Sequence, residues 1–115
     1  MSEERRLLGE IVAAAESGRP VVLATIVRAK GSTPRGIGSR MLIDPARGSI
    51  GTIGGGCGEA EVVEAARSAL ADRRARIVRV DLTEDLYSWS PAVCGGVFDV
   101  LLEPVRAPRP MPAAG

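Results

Sequence analysis

Histidine is absent from the 115-residue sequence, and the two cysteines, Cys57 and Cys94, are too far apart to form a C-x-x-C motif. A zinc site with the usual cysteine and histidine ligands therefore cannot be assembled from this chain alone. Serine–histidine and cysteine–histidine catalytic pairs are excluded as well, unless another chain supplies the base. A thiol-dependent reaction would thus lack an obvious general base.

Aromatic residues are scarce, since Tyr87, Trp89 and Phe98 are the only three. Stacking of nucleic-acid bases on an aromatic platform is therefore not expected. Fifteen basic and fourteen acidic residues leave a net charge of +1 with no basic block, which gives no electrostatic reason to expect nucleic-acid binding. The charged start, M-S-E-E-R-R, lacks the apolar core of a signal peptide, and no apolar run approaches membrane-spanning length. We therefore predict a cytoplasmic protein without a membrane span.

Hydrophobic residues make up 45% of the chain, enough for one domain with a core of its own. Their spacing predicts the order α-β-β-β-α-β-β, with helices over 3–17 and 59–72 and strands over 21–28, 40–44, 49–53, 76–82 and 97–103. We expect the strand over 21–28 at the sheet centre, because it is apolar almost throughout, and the strand over 76–82 at or near an edge. The predicted fold class is α/β, with α+β as the alternative: one mixed sheet of about five strands flanked by two main helices.

Proline is frequent after residue 103, with four prolines in nine residues and no regular apolar spacing. Such a composition is typical of a disordered tail or a linker. We therefore predict one domain over residues 1–104 and a proline-rich tail or linker stump over 105–115.

The densest motif is Gly51–Glu61, G-T-I-G-G-G-C-G-E-A-E, in which five glycines surround Cys57 between a predicted strand and a predicted helix. The start of a helix favours an anion such as phosphate, and it favours thiolate over thiol. The pattern matches neither the P-loop nor the dinucleotide-binding fingerprint. A tight structural turn is an equally good interpretation of the glycines. Cys57 itself could be a small buried apolar residue, as most free cysteines are.

A second loop, A-K-G-S-T-P-R-G-I-G-S, precedes the strand over 40–44. Its Ser32, Thr33 and Arg35 would suit a phosphate or another oxo-anion, although such loops are most often simply solvated. The predicted hairpin of strands 40–44 and 49–53 would bring this loop and the glycine-rich turn to the same end of the sheet. Glu59 is most simply explained as a first-turn acid that complements the helix dipole.

Four ordered motifs together resemble the N-terminal domain of the xanthine dehydrogenase accessory (XdhC/CoxI) family. They are G-S-T-P-R (Gly31–Arg35), G-x-x-M-L-I-D (Gly38–Asp44, here G-S-R-M-L-I-D), G-T-I-G-G-G-C-G-E (Gly51–Glu59) and C-G-G (Cys94–Gly96). The resemblance covers nearly the whole chain, from the first helix to Glu103. It implies a maturation factor that holds molybdenum cofactor, as molybdopterin or its dinucleotide form, transiently while its sulfido ligand is installed and then assists insertion into a molybdenum hydroxylase such as xanthine or carbon monoxide dehydrogenase.

The resemblance also implies site residues and partners. Cys57 is the implied cofactor and metal contact, with Gly54, Gly55, Gly56 and Glu59 around it; Ser32, Thr33 and Arg35 line the opposite loop, and Cys94 is a secondary candidate. The implied partners are an apo molybdenum hydroxylase, a cysteine desulfurase and a second copy of the chain. On this interpretation the protein is an accessory factor rather than an enzyme with turnover.

Two departures from the family pattern affect these expectations. Position 58, usually a larger apolar residue, is Gly58 here, which predicts a looser turn. Many members also continue into a Rossmann-like domain beyond the region matched here. Two alternatives stay open: a thiol-dependent component for sulfur or nucleotidyl transfer, and a module that docks onto a desulfurase or dehydrogenase without contacting the cofactor.

Overall fold

The computed structural model describes residues 3–31, 33, 35–51, 58–82 and 96–105. It contains two helices and five strands: α1 (Glu3–Ser17), β1 (Val21–Lys30), β2 (Arg40–Ile43), β3 (Ile50–Gly51), α2 (Glu59–Asp72), β4 (Arg76–Asp81) and β5 (Val97–Val105). This order confirms the predicted succession α-β-β-β-α-β-β. Neither helix combines the length and the apolar character needed to cross a membrane.

The strands form one sheet in the order β3-β2-β1-β5-β4, with β1 at the centre and β4 at an edge as predicted. Every pair of neighbouring strands in the described part of the chain is antiparallel, so the predicted mixed sheet is wrong and the alternative class, α+β, describes the arrangement better. The reason lies in the path of the chain through α2. That helix connects β3 at one edge to β4 at the other, so two strands of the same direction never become neighbours.

The two helices cover opposite faces of the sheet. Val22, Ala24 and Ile26 of β1 belong to the larger apolar cluster, which includes Val62 and Ala66 of α2. Val21 and Leu23, which alternate with them, pack with Leu7 and Ala14 of α1. Because successive side chains of a strand point to opposite faces, β1 separates two apolar layers. The strand is therefore covered on both faces over its first half, as its apolar sequence indicated.

β5 extends two residues beyond the predicted end at Glu103. Pro104 lies opposite Val22, and Val105 lies opposite Val21. The neighbouring strand β4 begins at Arg76, which lies opposite Leu102. β5 therefore has no described neighbour on that side at Pro104. A proline is tolerated where a strand has an open edge. The strand thus includes the first residue of the predicted tail, and the rest of that tail, 106–115, lies outside the described residues.

The turn between β2 and β3 is organised by Asp44, which is 5% exposed. Its Oδ1 accepts hydrogen bonds from the N–H groups of Ala46 and Arg47 at 2.9 and 3.1 Å, and Nε of Arg19 donates to Oδ2 over 2.8 Å. Burial alone would raise the pKa of the Asp44 carboxyl, but these hydrogen bonds and the Arg19 charge outweigh it and hold the pKa below the ordinary value. The predicted hairpin of β2 and β3 is confirmed, with Met41 opposite Gly51 and Leu42 opposite Ile50.

Candidate functional site

Several strand ends next to the predicted motifs point toward one end of the sheet. Lys30 at the end of β1 lies opposite Val97 at the start of β5, and Val97 in turn lies opposite Asp81 at the end of β4. β2 begins at Arg40 opposite Thr25, and β3 finishes at Gly51 opposite Met41, so these two strand ends point the same way but stop several residues before that row. Gly58 lies beside Val80 and Leu82 of the β4 end. The sequence correctly predicted that the two glycine-rich segments leave the sheet at a common end.

The loop after β1 is held by hydrogen bonds within it and to the strand. Oγ1 of Thr33 donates to the carbonyl oxygen of Arg35 over 2.9 Å. The N–H of Gly38 donates to the carbonyl of Ile26 over 2.8 Å, and the N–H of Ile26 donates to the carbonyl of Ser39 over 2.9 Å. Because the Thr33 hydroxyl has one proton and already donates it, this hydroxyl can only accept a hydrogen bond from a ligand. The exposed Arg35 guanidinium is the stronger anion partner in this loop.

The start of α2 lacks a side-chain cap. Gly58 occupies the N-cap position with φ of +73°, and within the part of the chain that the structure describes no side-chain cap hydrogen bond is made there. The N–H of Val62 donates to the Gly58 carbonyl over 3.3 Å. The preceding N–H groups of such a turn have no helical partner and favour an anion. Two carboxylates of the same turn, Glu59 and Glu61, oppose that preference by their charge.

Gly58 itself is closely packed, whereas the turn before it, which the sequence predicted to be looser, lies outside the described residues. A Cβ added at this position would overlap Cγ1 of Val80, and Cδ2 of Leu82 would lie 3.6 Å from it. The positive φ also disfavours any side chain. The missing side chain therefore lets α2 approach the end of β4 closely, and a larger apolar residue would not fit in this packing.

The predicted site residues fall into two groups. Thr33, Arg35 and Glu59 lie at the common end of the sheet. The others, Ser32, Gly54, Gly55, Gly56, Cys57 and Cys94, lie outside the described residues, so their roles stay predictions. Within the described ranges no three carboxylate or thiol groups come together as they would around a metal ion. The assignment of Cys57 as a metal contact is likewise untested.

Sequence reasoning missed an ionic row across the sheet. Arg28 of β1, Asp99 of β5 and Arg79 of β4 are direct neighbours in the strand pairing. A sequence signal was present, since Asp99 interrupts the apolar run V-F-D-V-L-L of β5. Buried carboxylates are rare unless they are paired. Which arginines pair with Asp99 depends on the strand order, and the sequence left that order open.

Comparison with known proteins identifies a family and several relatives of this chain. Residues 14–81 match the model of the XdhC and CoxI family. The chain is 29% identical over 111 residues to the molybdenum cofactor insertion chaperone PaoD of Escherichia coli K12, covering 95% of this chain and 34% of the relative. It is 37% identical over 91 residues to a probable xanthine dehydrogenase component of Bacillus subtilis 168, covering 76% of this chain and 27% of the relative.

One further relative and one crystal structure are also similar to this chain. The "Uncharacterized protein YqeB" of Escherichia coli K12 is 34% identical over 95 residues, which is 83% of this chain and 17% of that protein. A crystal structure described as a xanthine dehydrogenase from Bacillus halodurans superimposes with a TM-score of 0.72 at 34% identity, covering 91% of this chain and 31% of that chain. The chain thus spans a third or less of the length of most of these relatives.

Proposed function

The chain belongs to the XdhC and CoxI family, and on that premise we propose that it binds molybdenum cofactor as cargo and assists its maturation for a molybdenum hydroxylase. The observation that carries the proposal is the start of α2 at Gly58, which offers no side-chain cap and lies beside Val80 and Leu82 where β4 ends. A relative named as a molybdenum cofactor insertion chaperone covers 95% of this chain, which supports the same role.

The chemistry of the cargo fits the groups at this end of the sheet. Molybdenum cofactor carries a phosphate, which suits the N–H groups at the start of α2 and the Arg35 guanidinium. Its pterin ring carries N–H groups, from which a carboxylate such as Glu59 can accept hydrogen bonds. In this proposal Arg35 and the first turn of α2 hold the phosphate, Glu59 orients the pterin, and Thr33 keeps its loop in shape through the bond to Arg35.

Cys57 is the proposed soft contact to the sulfur-rich molybdenum centre. It directly precedes Gly58 in the chain, so it is one residue away from the start of α2. A thiolate close to the positive end of a helix is favoured over the thiol. We propose Gly54, Gly55 and Gly56 as the backbone that approaches the cargo. Ser32 belongs to the opposite loop, and Cys94 is a second thiol from the segment before β5.

The proposed role requires other proteins. Installation of the sulfido ligand needs a sulfur source, for which a cysteine desulfurase is the expected donor, and delivery needs the apo form of a molybdenum hydroxylase. The bound cargo is molybdopterin or its dinucleotide form, and we propose that the chain works as a homodimer in the cytoplasm. Because no imidazole is available as a base in this sequence, we propose stoichiometric cofactor handling rather than turnover.

An anaerobic titration tests the proposal. Cofactor released from a donor molybdoenzyme is added to the purified chain, to Cys57→Ala and to the matched variant Cys94→Ala. We expect saturable binding of one cofactor per chain that weakens by about tenfold or more in Cys57→Ala, about 1.4 kcal/mol, and by less in Cys94→Ala. Binding that is unchanged in Cys57→Ala would remove Cys57 from the site. No binding by the wild-type chain would contradict the proposed function.

A further inference from the structure

Two arginines share one buried carboxylate on the face of the sheet opposite α2. Nε of Arg79 donates to Oδ1 of Asp99 over 3.1 Å, and Nη1 of Arg28 lies 3.9 Å from Oδ2. The Asp99 side chain is 10% exposed, whereas those of Arg28 and Arg79 are 76% and 66% exposed. A single carboxylate therefore holds two guanidiniums that stay largely open to solvent, and the group has one surplus positive charge.

Apolar side chains lie next to this row. In the adjacent row of the same face, Ile77 of β4 lies opposite Leu101 of β5. Ile77 is 63% exposed, and Val27, at the irregularity of β1, is 40% exposed. We call the surface formed by these six residues the arginine face: Val27, Arg28, Ile77, Arg79, Asp99 and Leu101.

No described helix shields the β4 side of the arginine face. α1 packs on this side of the sheet through Leu7 and Ala14, which contact Val21 and Leu42 toward the other edge. A helix about 10 Å wide covers roughly two strands spaced ~4.8 Å apart. A five-stranded sheet is therefore too wide for one helix, and among the described residues the surface around Ile77 and Arg79 has no layer over it.

We propose that the arginine face docks a partner protein whose contacting surface has an apolar centre flanked by carboxylates. Under the proposed function this partner is the apo molybdenum hydroxylase, so the inference rests on that function. An arginine has five N–H donors, and the bonds to Asp99 leave most of them available to carboxylates of a partner. The hydrogen bond to Asp99 already restrains the Arg79 guanidinium, which lowers the entropy lost on docking. Arginine is enriched in protein interfaces and among their hot spots.

A second copy of the chain fits this surface poorly. If two arginine faces met about a two-fold axis near Asp99, the arginines of one copy would face the arginines of the other. Like charges brought together in an interface cost several kcal/mol. Carboxylates of a different protein would instead complement the surplus charge.

The size of the surface indicates a transient complex. Three strands spaced ~4.8 Å apart and about six residues at ~3.3 Å each give a face of roughly 15 by 20 Å. This is well below the ~800 Å² that each partner contributes to a standard stable interface. A short-lived complex suits a protein that must release its cargo, and we expect a dissociation constant in the micromolar range.

Biolayer interferometry against the immobilised apo hydroxylase tests the proposal. Ile77→Glu places a carboxylate on the arginine face, and Arg79→Gln removes one of its charges. The controls, Ala71→Glu and Arg67→Gln, introduce the same residues at exposed positions of α2 on the other side of the sheet. We expect both arginine-face variants to weaken hydroxylase binding by about tenfold or more and both controls to leave it unchanged. Far-UV circular dichroism and thermal unfolding show whether each variant is folded.

Cofactor titration and sedimentation of the same variants separate the possible failures. All four variants are expected to bind molybdenum cofactor like the wild type. Hydroxylase binding that is equal in the wild type and the arginine-face variants would overturn the docking proposal. So would arginine-face variants that lose self-association but keep hydroxylase binding. A wild-type chain that binds cofactor but not hydroxylase would overturn the docking proposal alone, whereas one that binds neither would overturn the proposed function itself.

Discussion

Gly58 at the start of α2 lies directly against Val80 of β4, with no room for a side chain between them. A Cβ at Gly58 would overlap Cγ1 of Val80, and the φ of +73° is a backbone conformation that side chains rarely adopt. Val80 is fully buried, so it has little freedom to move away. The contact fixes where the glycine-rich segment before α2 must end. It links the position of the candidate site to the packing of the core.

Gly58→Ala is therefore expected to lower the free energy of unfolding by about 2–4 kcal/mol, from backbone strain and overpacking together. Urea unfolding measures the change. Gly48→Ala is the matched control, because Gly48 has a φ of +90° but an added Cβ would have no atom within 4 Å. That variant should lower the free energy of unfolding only by the backbone strain, about 1 kcal/mol. Equal costs at the two positions would contradict the packing argument.

The overlap itself can be relieved in a double variant. Val80→Ala removes Cγ1, so Gly58→Ala added to Val80→Ala should cost only the backbone strain. The expected coupling between the two substitutions is about 1–3 kcal/mol by a double-mutant cycle in urea unfolding. Additive effects would show that the two residues do not constrain each other.

Glu59→Gln is expected to change phosphate and cofactor binding in opposite directions. Removing the carboxylate from the first turn of α2 should strengthen binding of inorganic phosphate by roughly two- to fivefold, the equivalent of about 0.3–1 kcal/mol. If Glu59 accepts hydrogen bonds from the pterin, the same variant should bind the whole cofactor more weakly. Calorimetry at low ionic strength checks both. Glu61→Gln, an exposed neighbour in the same turn, should show the first effect without the second.

Arg35→Gln is expected to weaken cofactor binding by about tenfold or more, because a charge-assisted hydrogen bond contributes about 1.5–3 kcal/mol. Arg47→Gln is the matched control: Arg47 is also exposed, but it belongs to the Asp44 turn at the opposite end of the sheet. Both variants should unfold at the same urea concentration as the wild type. Equal cofactor affinity of the two variants would place the phosphate elsewhere.

The order of elements and the central position of β1 could be predicted from the sequence because both depend on local patterns. Apolar spacing marks the helices, and the uninterrupted run of β1 reflects coverage on both faces. The strand directions could not be predicted, since they depend on α2 passing from one edge of the sheet to the other. The hairpin turn at Asp44 predicted that β2 and β3 are neighbours, but no local pattern indicates that β5 inserts between β1 and β4.

The candidate site, too, could be predicted only in part. The sequence predicted Thr33 and Arg35 in the loop after β1 and Glu59 at the start of α2, as the structure has them, whereas their roles in binding stay predictions. The close packing of Gly58 could not be predicted because its partner, Val80, is far away along the chain. Likewise, the pairing of Asp99 with Arg28 and Arg79 follows from three strands meeting, which residue spacing does not reveal.

Asp44 is expected to make stability depend on pH in the acid range. The folded pKa of this carboxyl lies below its ordinary value of 3.8, so its contribution is fully present above that value and is lost as pH falls through the folded pKa. Asp44→Asn keeps an oxygen that can accept from Ala46 and Arg47 but loses the charge that pairs with Arg19. At pH 7 the variant should be less stable by about 1–3 kcal/mol. Urea unfolding at several pH values should show this difference constant down to about pH 5 and shrinking below pH 4.

Asp72→Asn, which removes the exposed partner of Arg76, is the matched control and should change stability little at any pH. A difference for Asp44→Asn that stays constant down to pH 3 would show that the carboxylate charge is not what stabilises the turn.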